Sequence, residues 1–338
     1  MIYKFKENRV WRAYKGGKHI DNFKGKTNPI DSDFPEEWLA STVEAFNPDK
    51  PEKTENEGLS VCEDGILFKD VLSPNPQKIL GEKHNKQSIL VKLLDSAERL
   101  VIQCHPTVSF AKRNFNSSFG KTECWYMLDC DDDAYIYLGF KPGITKEKWI
   151  KLFETQDVSG MLNCLNKFNV KKGDFWFVFG GVPHAIGKGC FMIELQEPSD
   201  LMVIPERITP SGTVLSETKL HCGLGFDKMF DCFEYNGFTK TQTKKMFYRN
   251  AEIFDNQFSP IVDSSLTDKF SMKILKVNGN AEVDLEEKYA VVIVIDGKGS
   301  ITTTDYCSNL KKSDNFFVSA NSGNLVFSGN MKLVFCTP

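Results

Sequence analysis

The sequence predicts a mainly β protein, built as a sandwich or a barrel. Short apolar or alternating runs recur along the 338 residues, and polar glycine turns such as those at Gly173 and Gly297 separate them at close intervals. This spacing is typical of antiparallel sheets, because parallel strands need a longer crossover between them. The runs interpreted as strands are 88–94, 100–104, 124–128, 135–139, 175–179, 191–195, 289–295, 315–319 and 332–335.

Helical periodicity is confined to two segments. The longer one, 145–168, carries an apolar stripe at helical spacing, and 108–115 forms a shorter one. Both lie between strand runs in the first two-thirds of the chain, so we expect helical insertions that cover one side of a β scaffold. The stripe consists of Trp149, Leu152, Phe153, Val158, Met161, Leu162 and Leu165.

The chain is long enough for two domains at roughly 150 residues each. A polar stretch at 240–245 precedes a C-terminal block that has its own rhythm of strands and turns and contains no histidine. We therefore predict one domain over 1–240, with the helical insertions, and a second domain over 241–338.

Composition excludes several classes of protein. Hydrophobic residues make up 41% and charged residues 26%, which indicates a folded globular chain. The 42 basic and 45 acidic residues give a net charge of −3, so neither nucleic acid nor an anionic membrane is an expected partner. The longest apolar run, 289–295, is far shorter than the roughly 20 residues of a membrane helix. The N-terminal segment has no apolar signal region, so a cytoplasmic location is expected.

Common cofactor motifs do not occur. The ten cysteines form no C-x-x-C pair, which favours reduced thiols in the core over disulfides or a zinc finger. The glycines between 181 and 189 lack the Ser or Thr of a phosphate-binding loop, and Gly223 and Gly297 belong to no dinucleotide fingerprint. No nucleotide cofactor is expected.

Two of the five histidines stand where polar ligands from different strands can meet. Gln103 and His105 are two residues apart on a predicted strand, so their side chains lie on one face. His184 follows a strand and a glycine turn, and Glu123 begins another strand. Two imidazoles, a carboxylate and an amide form a plausible ligand set for a divalent transition metal, with zinc as the first candidate. A lone histidine is more often an ordinary core or surface residue, and spacing alone leaves that interpretation open.

Residues 173–184 resemble the second cupin motif, G-x5-P-x-G-x2-H, with Phe179 where the motif has proline. The segments QCHP, GKTECWYMLDC, KKGDFWFVFGGVPHAIGKG and IELQEPSD, in this order and spacing, closely resemble type I mannose-6-phosphate isomerases of the bacterial branch. The resemblance extends over most of 10–225 and includes RVWRAYKGGK and EEWLASTVEA near the start.

This resemblance implies a catalytic cupin (jelly-roll) barrel in 1–240 and a cupin-like barrel without metal ligands in 241–338. It implies one Zn²⁺ per chain, or another divalent metal, and interconversion of mannose 6-phosphate and fructose 6-phosphate through an enediol-type intermediate. The expected partner is a small sugar phosphate, and the sequence does not determine the oligomeric state. The metal ligands implied are the four selected above, Gln103, His105, Glu123 and His184.

Moving a proton between C1 and C2 requires a base, a Lewis acid, and cations that hold the phosphate. Charged residues beside the matched segments supply the candidates for the first and third of these. Arg207 resembles the active-site arginine segment of the family, and Asp200 either transfers the proton or orients Arg207. The base itself stays unassigned. The candidate catalytic residues are Lys92, Lys121, Asp200 and Arg207.

Two positions depart from the family pattern. Ile204 stands where many relatives carry an arginine, and Gly120 stands where other branches have a histidine. These departures keep two further functions open: a non-catalytic sugar-phosphate sensor, and an isomerase of another aldose phosphate.

Overall fold

The computed structural model describes residues 1–250 and 252–338 and confirms the mainly β class. The strands are β1 (Ile2–Tyr3), β2 (Arg9–Val10), β3 (Glu36–Leu39), β4 (Leu90–Ser96), β5 (Glu123–Cys130), β6 (Tyr135–Phe140), β7 (Leu165–Asn169), β8 (Phe175–Val178), β9 (His184–Ile186), β10 (Cys190–Gln196), β11 (Tyr248–Arg249), β12 (Phe258–Val262), β13 (Ser271–Val283), β14 (Ala290–Thr303), β15 (Tyr306–Lys311), β16 (Asn315–Val318) and β17 (Leu325–Thr337).

The helices are short. None within 1–250 or 252–338 is long and apolar enough to cross a membrane. They are α1 (Lys18–Phe23), α2 (Phe68–Leu72), α3 (Pro76–Leu80), α4 (Val108–Phe115), α5 (Lys146–Glu154), α6 (Val158–Asn163), α7 (Glu217–His221), α8 (Phe226–Met229) and α9 (Lys240–Phe247), with one 3₁₀ turn at Phe230–Cys232.

Two antiparallel sheets form the N-terminal part of the molecule. The large sheet has the strand order β11-β8-β5-β10-β4-β3-β2, and the small sheet has the order β7-β6-β9. Trp125, Met127 and Met192 of the large sheet share one buried core with Ile136 and Ile186 of the small sheet. We call the face of the large sheet that carries these residues its front face. The two sheets therefore enclose an interior that is lined by the front face.

The back face of the large sheet packs against the C-terminal part. Because side chains alternate along a strand, Cys124 and Tyr126 point away from the front face. They lie in a second core together with Ile193 of β10 and with Met272 and Val291 of the C-terminal sheet. One continuous apolar layer thus joins the two parts of the chain and fixes the large sheet from behind.

The C-terminal sheet has the order β1-β16-β14-β17-β13-β12, with β15 paired to β14. Its long strands β13, β14 and β17 pair over most of their lengths. Strand β1, from the start of the chain, pairs with β16, while β11 pairs with β8 of the large sheet. The predicted boundary at 240/241 coincides with the start of α9. Helix α9 and β11 pack with the N-terminal part, so the chain passes to the C-terminal sheet only after Arg249.

The predicted helix at 108–115 is confirmed as α4, but the continuous helix predicted over 145–168 is wrong. Helix α5 ends before Gln156, whose backbone has a φ of 50°, and Asp157 then caps α6 by accepting from the N–H of Gly160. The last predicted turn is instead β7, which pairs with β6. Apolar spacing alone could not reveal this strand, because its stability comes from a distant partner.

The strand predicted at 100–104 is reduced to two isolated bridges. Gln103 pairs with His184, and Cys104 pairs with Val203. All ten cysteines are free thiols and seven of them are buried, as the sequence predicted. Cys104 and Cys124 both pack in apolar cores, facing away from the neighbouring ligand candidates.

Candidate active site and metal centre

Three of the four predicted metal ligands meet in the interior between the two sheets. Glu123 begins β5 and points to the front face, in line with Trp125 and Met127. His184 begins β9, immediately after the turn that contains Gly181. His105 follows the bridge at Cys104, and its imidazole lies 4.9 Å from that of His184 between ring centroids. Ligand atoms of His105, Glu123 and His184 all lie within 4.8 Å of one another, and all three residues are buried.

Hydrogen bonds to the backbone orient both imidazoles. Nδ1 of His105 lies 3.0 Å from the carbonyl oxygen of Leu201, and Nδ1 of His184 lies 2.9 Å from that of Val182. A carbonyl only accepts, so each Nδ1 carries the proton and each Nε2 presents a lone pair. Both Nε2 atoms lie 3.2 Å from carboxylate oxygens of Glu123.

This donor set fits a cation. Oε1 of Glu123 and Nε2 of His184 are both acceptors, and neither has a hydrogen-bond partner within the described part of the chain. Two buried acceptors aimed at each other are unfavourable unless a cation or a proton lies between them. Neutral imidazole nitrogens and a carboxylate oxygen are ligands that zinc and other divalent transition metals accept.

The charge of Lys121 affects the same cluster. Its ammonium lies 2.8 Å from Nε2 of His105 and also contacts the carboxylate of Glu123. Burial and the charge of Lys121 together lower the pKa of His105 to about 4, so this imidazole is neutral near pH 7. Burial favours the acid form of Glu123, but Lys121 and His105 outweigh it and hold the pKa of this carboxyl well below its usual range.

The fourth predicted ligand, Gln103, lines a cleft whose wall also contains Lys121, the residue that contacts His105 and Glu123. Its backbone N–H donates to the carbonyl of His184, and the N–H of His184 donates back to the carbonyl of Gln103, each at 2.9 Å. This bridge fixes the two residues side by side. The cleft holds about 650 Å³ of empty space, part of it continuous with solvent.

Buried ion pairs line the front face of the large sheet within this cleft. The register places Lys92 of β4 opposite Glu194 of β10, and Nζ lies 3.0 Å from Oε2. Glu194 therefore points to the front face, into the cleft. Lys92 also lies 3.7 Å from Glu36 and 4.9 Å from the ring centroid of Trp38. Burial works against the charged form, but Glu194 and Glu36 outweigh it and raise the pKa of Lys92, which remains a cation.

Asp200 joins the same network through Arg12. Nη2 of Arg12 lies 3.1 Å from Oδ1 of Asp200, and Nε lies 3.0 Å from Glu36. The backbone N–H of Phe46 donates to Oδ2 of Asp200 at 2.8 Å. Burial favours the acid form, but Arg12 and nearby lysines outweigh it and lower the pKa of Asp200. Asp200 thus accepts from Arg12 through one oxygen and from the backbone N–H of Phe46 through the other.

The structure does not bring Arg207 to this cleft. Its guanidinium lies 4.7 Å from the ring centroids of both Phe153 and Phe226, and Arg207 is not among the residues that line the cavity. Ile204 does line the cleft and is buried there. Of the charged residues selected from the sequence, Lys92, Lys121 and Asp200 lie in the cleft and Arg207 lies outside it.

Sequence reasoning missed several charged groups of the cleft. Arg12 and Glu36 lie in the two N-terminal segments that carried the family resemblance, so that resemblance was the available signal for them. Arg99 and Lys219 carried no signal, because only the tertiary fold brings them to the cavity. The residues missed are Arg12, Tyr14, Glu36, Arg99 and Lys219.

The chain is similar in sequence to mannose-6-phosphate isomerases. Residues 264–338 match the family model described as mannose-6-phosphate isomerase, cupin domain. The probable mannose-6-phosphate isomerase GmuF of Bacillus subtilis (strain 168) is 29% identical over 253 residues, covering 74% of this chain and 75% of that protein. Mannose-6-phosphate isomerase ManA of the same organism is 28% identical over 276 residues, covering 80% and 83%.

Solved structures share the fold along the whole chain. The crystal structure of the mannose 6-phosphate isomerase from Bacillus subtilis superimposes with a TM-score of 0.78 at 23% identity, covering 99% of each chain. A mannose 6-phosphate isomerase bound with zinc and yttrium gives a TM-score of 0.74 at 15% identity, also covering 99% of each chain. At these identities the solved structures establish the common fold.

Proposed function

We propose that this chain, which is similar in sequence to mannose-6-phosphate isomerases, interconverts mannose 6-phosphate and fructose 6-phosphate as a metal-dependent aldose-ketose isomerase. The observation that carries the proposal is the pair of facing acceptors, Oε1 of Glu123 and Nε2 of His184, beside a cleft lined with buried charges. The proposal includes Zn²⁺ as the resident metal and a cytoplasmic location.

The proposed metal ligands are Gln103, His105, Glu123 and His184. A bound divalent ion supplies a Lewis acid that stabilises negative charge on the substrate oxygens. Backbone groups orient two of these ligands: the carbonyls of Leu201 and Val182 fix which nitrogen of His105 and of His184 faces the centre.

The reaction moves one proton from C2 to C1 and another from O2 to O1, so the overall charge is unchanged. We propose Glu194 as the group that accepts and returns the carbon-bound proton. Glu36 accepts from Arg12, Tyr14 and Trp38, whereas Glu194 accepts only from Trp125 at 3.2 Å and from Lys92 within the described residues. With fewer donors, the carboxylate of Glu194 keeps more lone pairs open to a substrate proton.

Lys92 and Lys121 have a different role in this scheme. Lys92 stays protonated beside two carboxylates and therefore cannot act as a base. We propose that both ammonium groups stabilise negative charge as it develops on the enediol oxygens. Asp200, with both oxygens engaged, acts as a positioning residue for Arg12.

The direct test is a coupled assay that follows fructose 6-phosphate formed from mannose 6-phosphate. The purified protein is supplied with zinc, cobalt or manganese, and a parallel sample is treated with chelator. Turnover that chelator removes and metal restores supports the proposal. Absence of turnover with every metal contradicts the substrate assignment.

One observation favours a second candidate, a sugar-phosphate sensor without turnover. The apolar Ile204 lines the cleft at the position where many relatives carry an arginine. Thermal unfolding with sugar phosphates distinguishes the two candidates, because a ligand that binds the native state raises the midpoint whether or not it reacts. Stabilisation without turnover favours the sensor.

A further inference from the structure

Five cationic side chains line the cleft, and four of them are neutralised by carboxylates. Those four bind five carboxylates between them, through contacts of 3.1 Å or less. Each of these four charges is therefore satisfied within the protein itself. The pairs are Arg12 with Glu36 and Asp200, Lys92 with Glu194, Arg99 with Glu206, and Lys121 with Glu123.

The fifth cation, Lys219, has no such partner. Its residue is only 8% exposed, and no carboxylate lies within 4.0 Å of Nζ in the described part of the chain. Its one hydrogen bond runs to the carbonyl oxygen of Phe46, at 2.9 Å. An ammonium has three N–H donors, so two of them remain without an acceptor among residues 1–250 and 252–338.

The backbone fixes this lysine in the wall of the cleft. Lys219 lies in α7, where the side chain of Ser216 caps the first turn. The next residue, Leu220, is fully buried against Ile204 and accepts a backbone hydrogen bond from it at 2.8 Å. Lys219 lines the same cleft as Lys92 and Glu194 of the front face.

A buried cation without a counter-charge is costly, and an anion in the cleft removes this cost. Burial, and then the nearby charge of Arg12, lower the pKa of Lys219. The charges of Asp200 and Glu36 act in the opposite direction but do not outweigh these two effects. A phosphate dianion supplies charge and several acceptor oxygens, and lysine is a common point-charge ligand for phosphate.

We propose that Lys219 binds the phosphate group of the substrate, with its two free N–H donors directed to phosphate oxygens. The inference rests on the proposed function and names the anion-binding residue within that same cleft. It also accounts for the apolar residue at 204, because α7, which packs on Ile204, brings a cation to the cavity instead.

Three variants test this assignment: Lys219→Met, Lys219→Arg and, as a control, Lys228→Met. Lys228 is exposed on the neighbouring α8, so its loss changes the net charge equally without touching the cleft. Inorganic phosphate is the probe, measured by calorimetric titration and as a competitive inhibitor. K219M should weaken phosphate binding and raise the KM for mannose 6-phosphate at least about tenfold, the scale of one charge-assisted hydrogen bond. K219R should retain most of the affinity, and K228M all of it.

Unchanged phosphate affinity in folded K219M overturns the assignment. Calorimetry separates this outcome from failure of the proposed function, since phosphate binding needs no turnover. If the protein binds phosphate through Lys219 but forms no fructose 6-phosphate, the isomerase proposal is wrong and the assignment of Lys219 to phosphate binding stands.

A measurement on the unmodified protein covers the case in which K219M does not fold. An aldehyde that carries a phosphate group, such as pyridoxal phosphate, forms an imine with a lysine amine and releases water, and borohydride then reduces the imine. Mass spectrometry should find the label on Lys219, and inorganic phosphate should suppress it. Absence of the label from Lys219, or labelling of Lys219 that phosphate does not suppress, contradicts the proposal.

Discussion

Oε1 of Glu123 and Nε2 of His184 face each other at 3.2 Å, deep between two sheets, without another hydrogen-bond partner in the described residues. The carbonyl of Val182 holds the proton of His184 on Nδ1, so neither facing atom can donate to the other. The arrangement is stable when a positive ion joins the two atoms. The metal content of the purified protein is therefore the first quantity to measure.

Substituting His184 with alanine should release the metal while the fold is retained. Changes to residues that only orient a ligand cost about 10- to 100-fold in metal affinity, so loss of a ligand itself should cost at least ~100-fold. Elemental analysis of the purified variant measures this directly. His84→Ala is the matched control, because His84 lies outside the cluster beside Tyr289. Normal metal content in the His184 variant would mean that this residue is not a ligand.

The buried pair of Lys92 and Glu194 should matter far more for stability than a surface pair. Lys92→Met leaves the buried Glu194 without a counter-charge, whereas Glu36 keeps Arg12, and we expect a loss of about 3–5 kcal/mol in the free energy of unfolding. Lys15→Met removes an exposed pair with Asp33 and should cost about 1 kcal/mol or less. Urea unfolding of both variants gives the comparison. Equal losses would contradict the structural role assigned to Lys92.

Arg207 should contribute little to turnover, although its sequence context suggested a catalytic role. Its guanidinium packs on Phe153 and Phe226 outside the cleft, so Arg207→Ala should keep kcat/KM within about threefold. Arg12→Ala removes a cleft cation that holds Glu36 and Asp200, and kcat/KM should fall at least about 100-fold, or 2.7 kcal/mol. Steady-state assays decide between these expectations. A drop in Arg207→Ala as large as that in Arg12→Ala would restore its catalytic assignment.

His19 should make stability depend on pH. A hydrogen bond from its Nδ1 to Asp95, at 2.9 Å, outweighs partial burial and raises the pKa of His19. A raised pKa in the folded state contributes stability that is fully present below the unfolded value near 6.5 and is lost as pH rises through the folded value. His19→Asn should lower the free energy of unfolding by about 1 kcal/mol at pH 5.5 and by less at pH 8.5. The effect is small because solvent screens this part-exposed pair.

Urea unfolding at the two pH values, for the wild type and His19→Asn, measures the difference. The gap in the free energy of unfolding between the wild type and His19→Asn should narrow as pH rises. A gap that widens or stays constant between pH 5.5 and 8.5 would show that the imidazole is not charged in the fold.

Local patterns in the sequence predicted eight of the seventeen strands in the described residues, and they identified the three residues that meet at the candidate metal centre. Gln103, His105, Glu123 and His184 lie in short motifs whose spacing, together with the family resemblance, selected them as ligands before any contact was known. Such patterns do not predict the structure of the segment 145–168 correctly. Its apolar spacing fits a helix throughout, and only pairing with β6 turns its end into β7.

The sequence by itself determined the β class, the family resemblance and the residues that meet at the candidate metal centre, because each depends on alternation, turns and motifs within short stretches of chain. The tertiary structure decided which charges are neutralised. Arg12 binds Asp200, which lies 188 residues away in the sequence, and Arg207 packs on aromatic rings. Among the cations that line the cleft, Lys219 alone has no carboxylate partner in the described part of the chain. Coulomb interactions act over a few ångströms of space whatever the separation in sequence, so only the folded chain could assign these pairs.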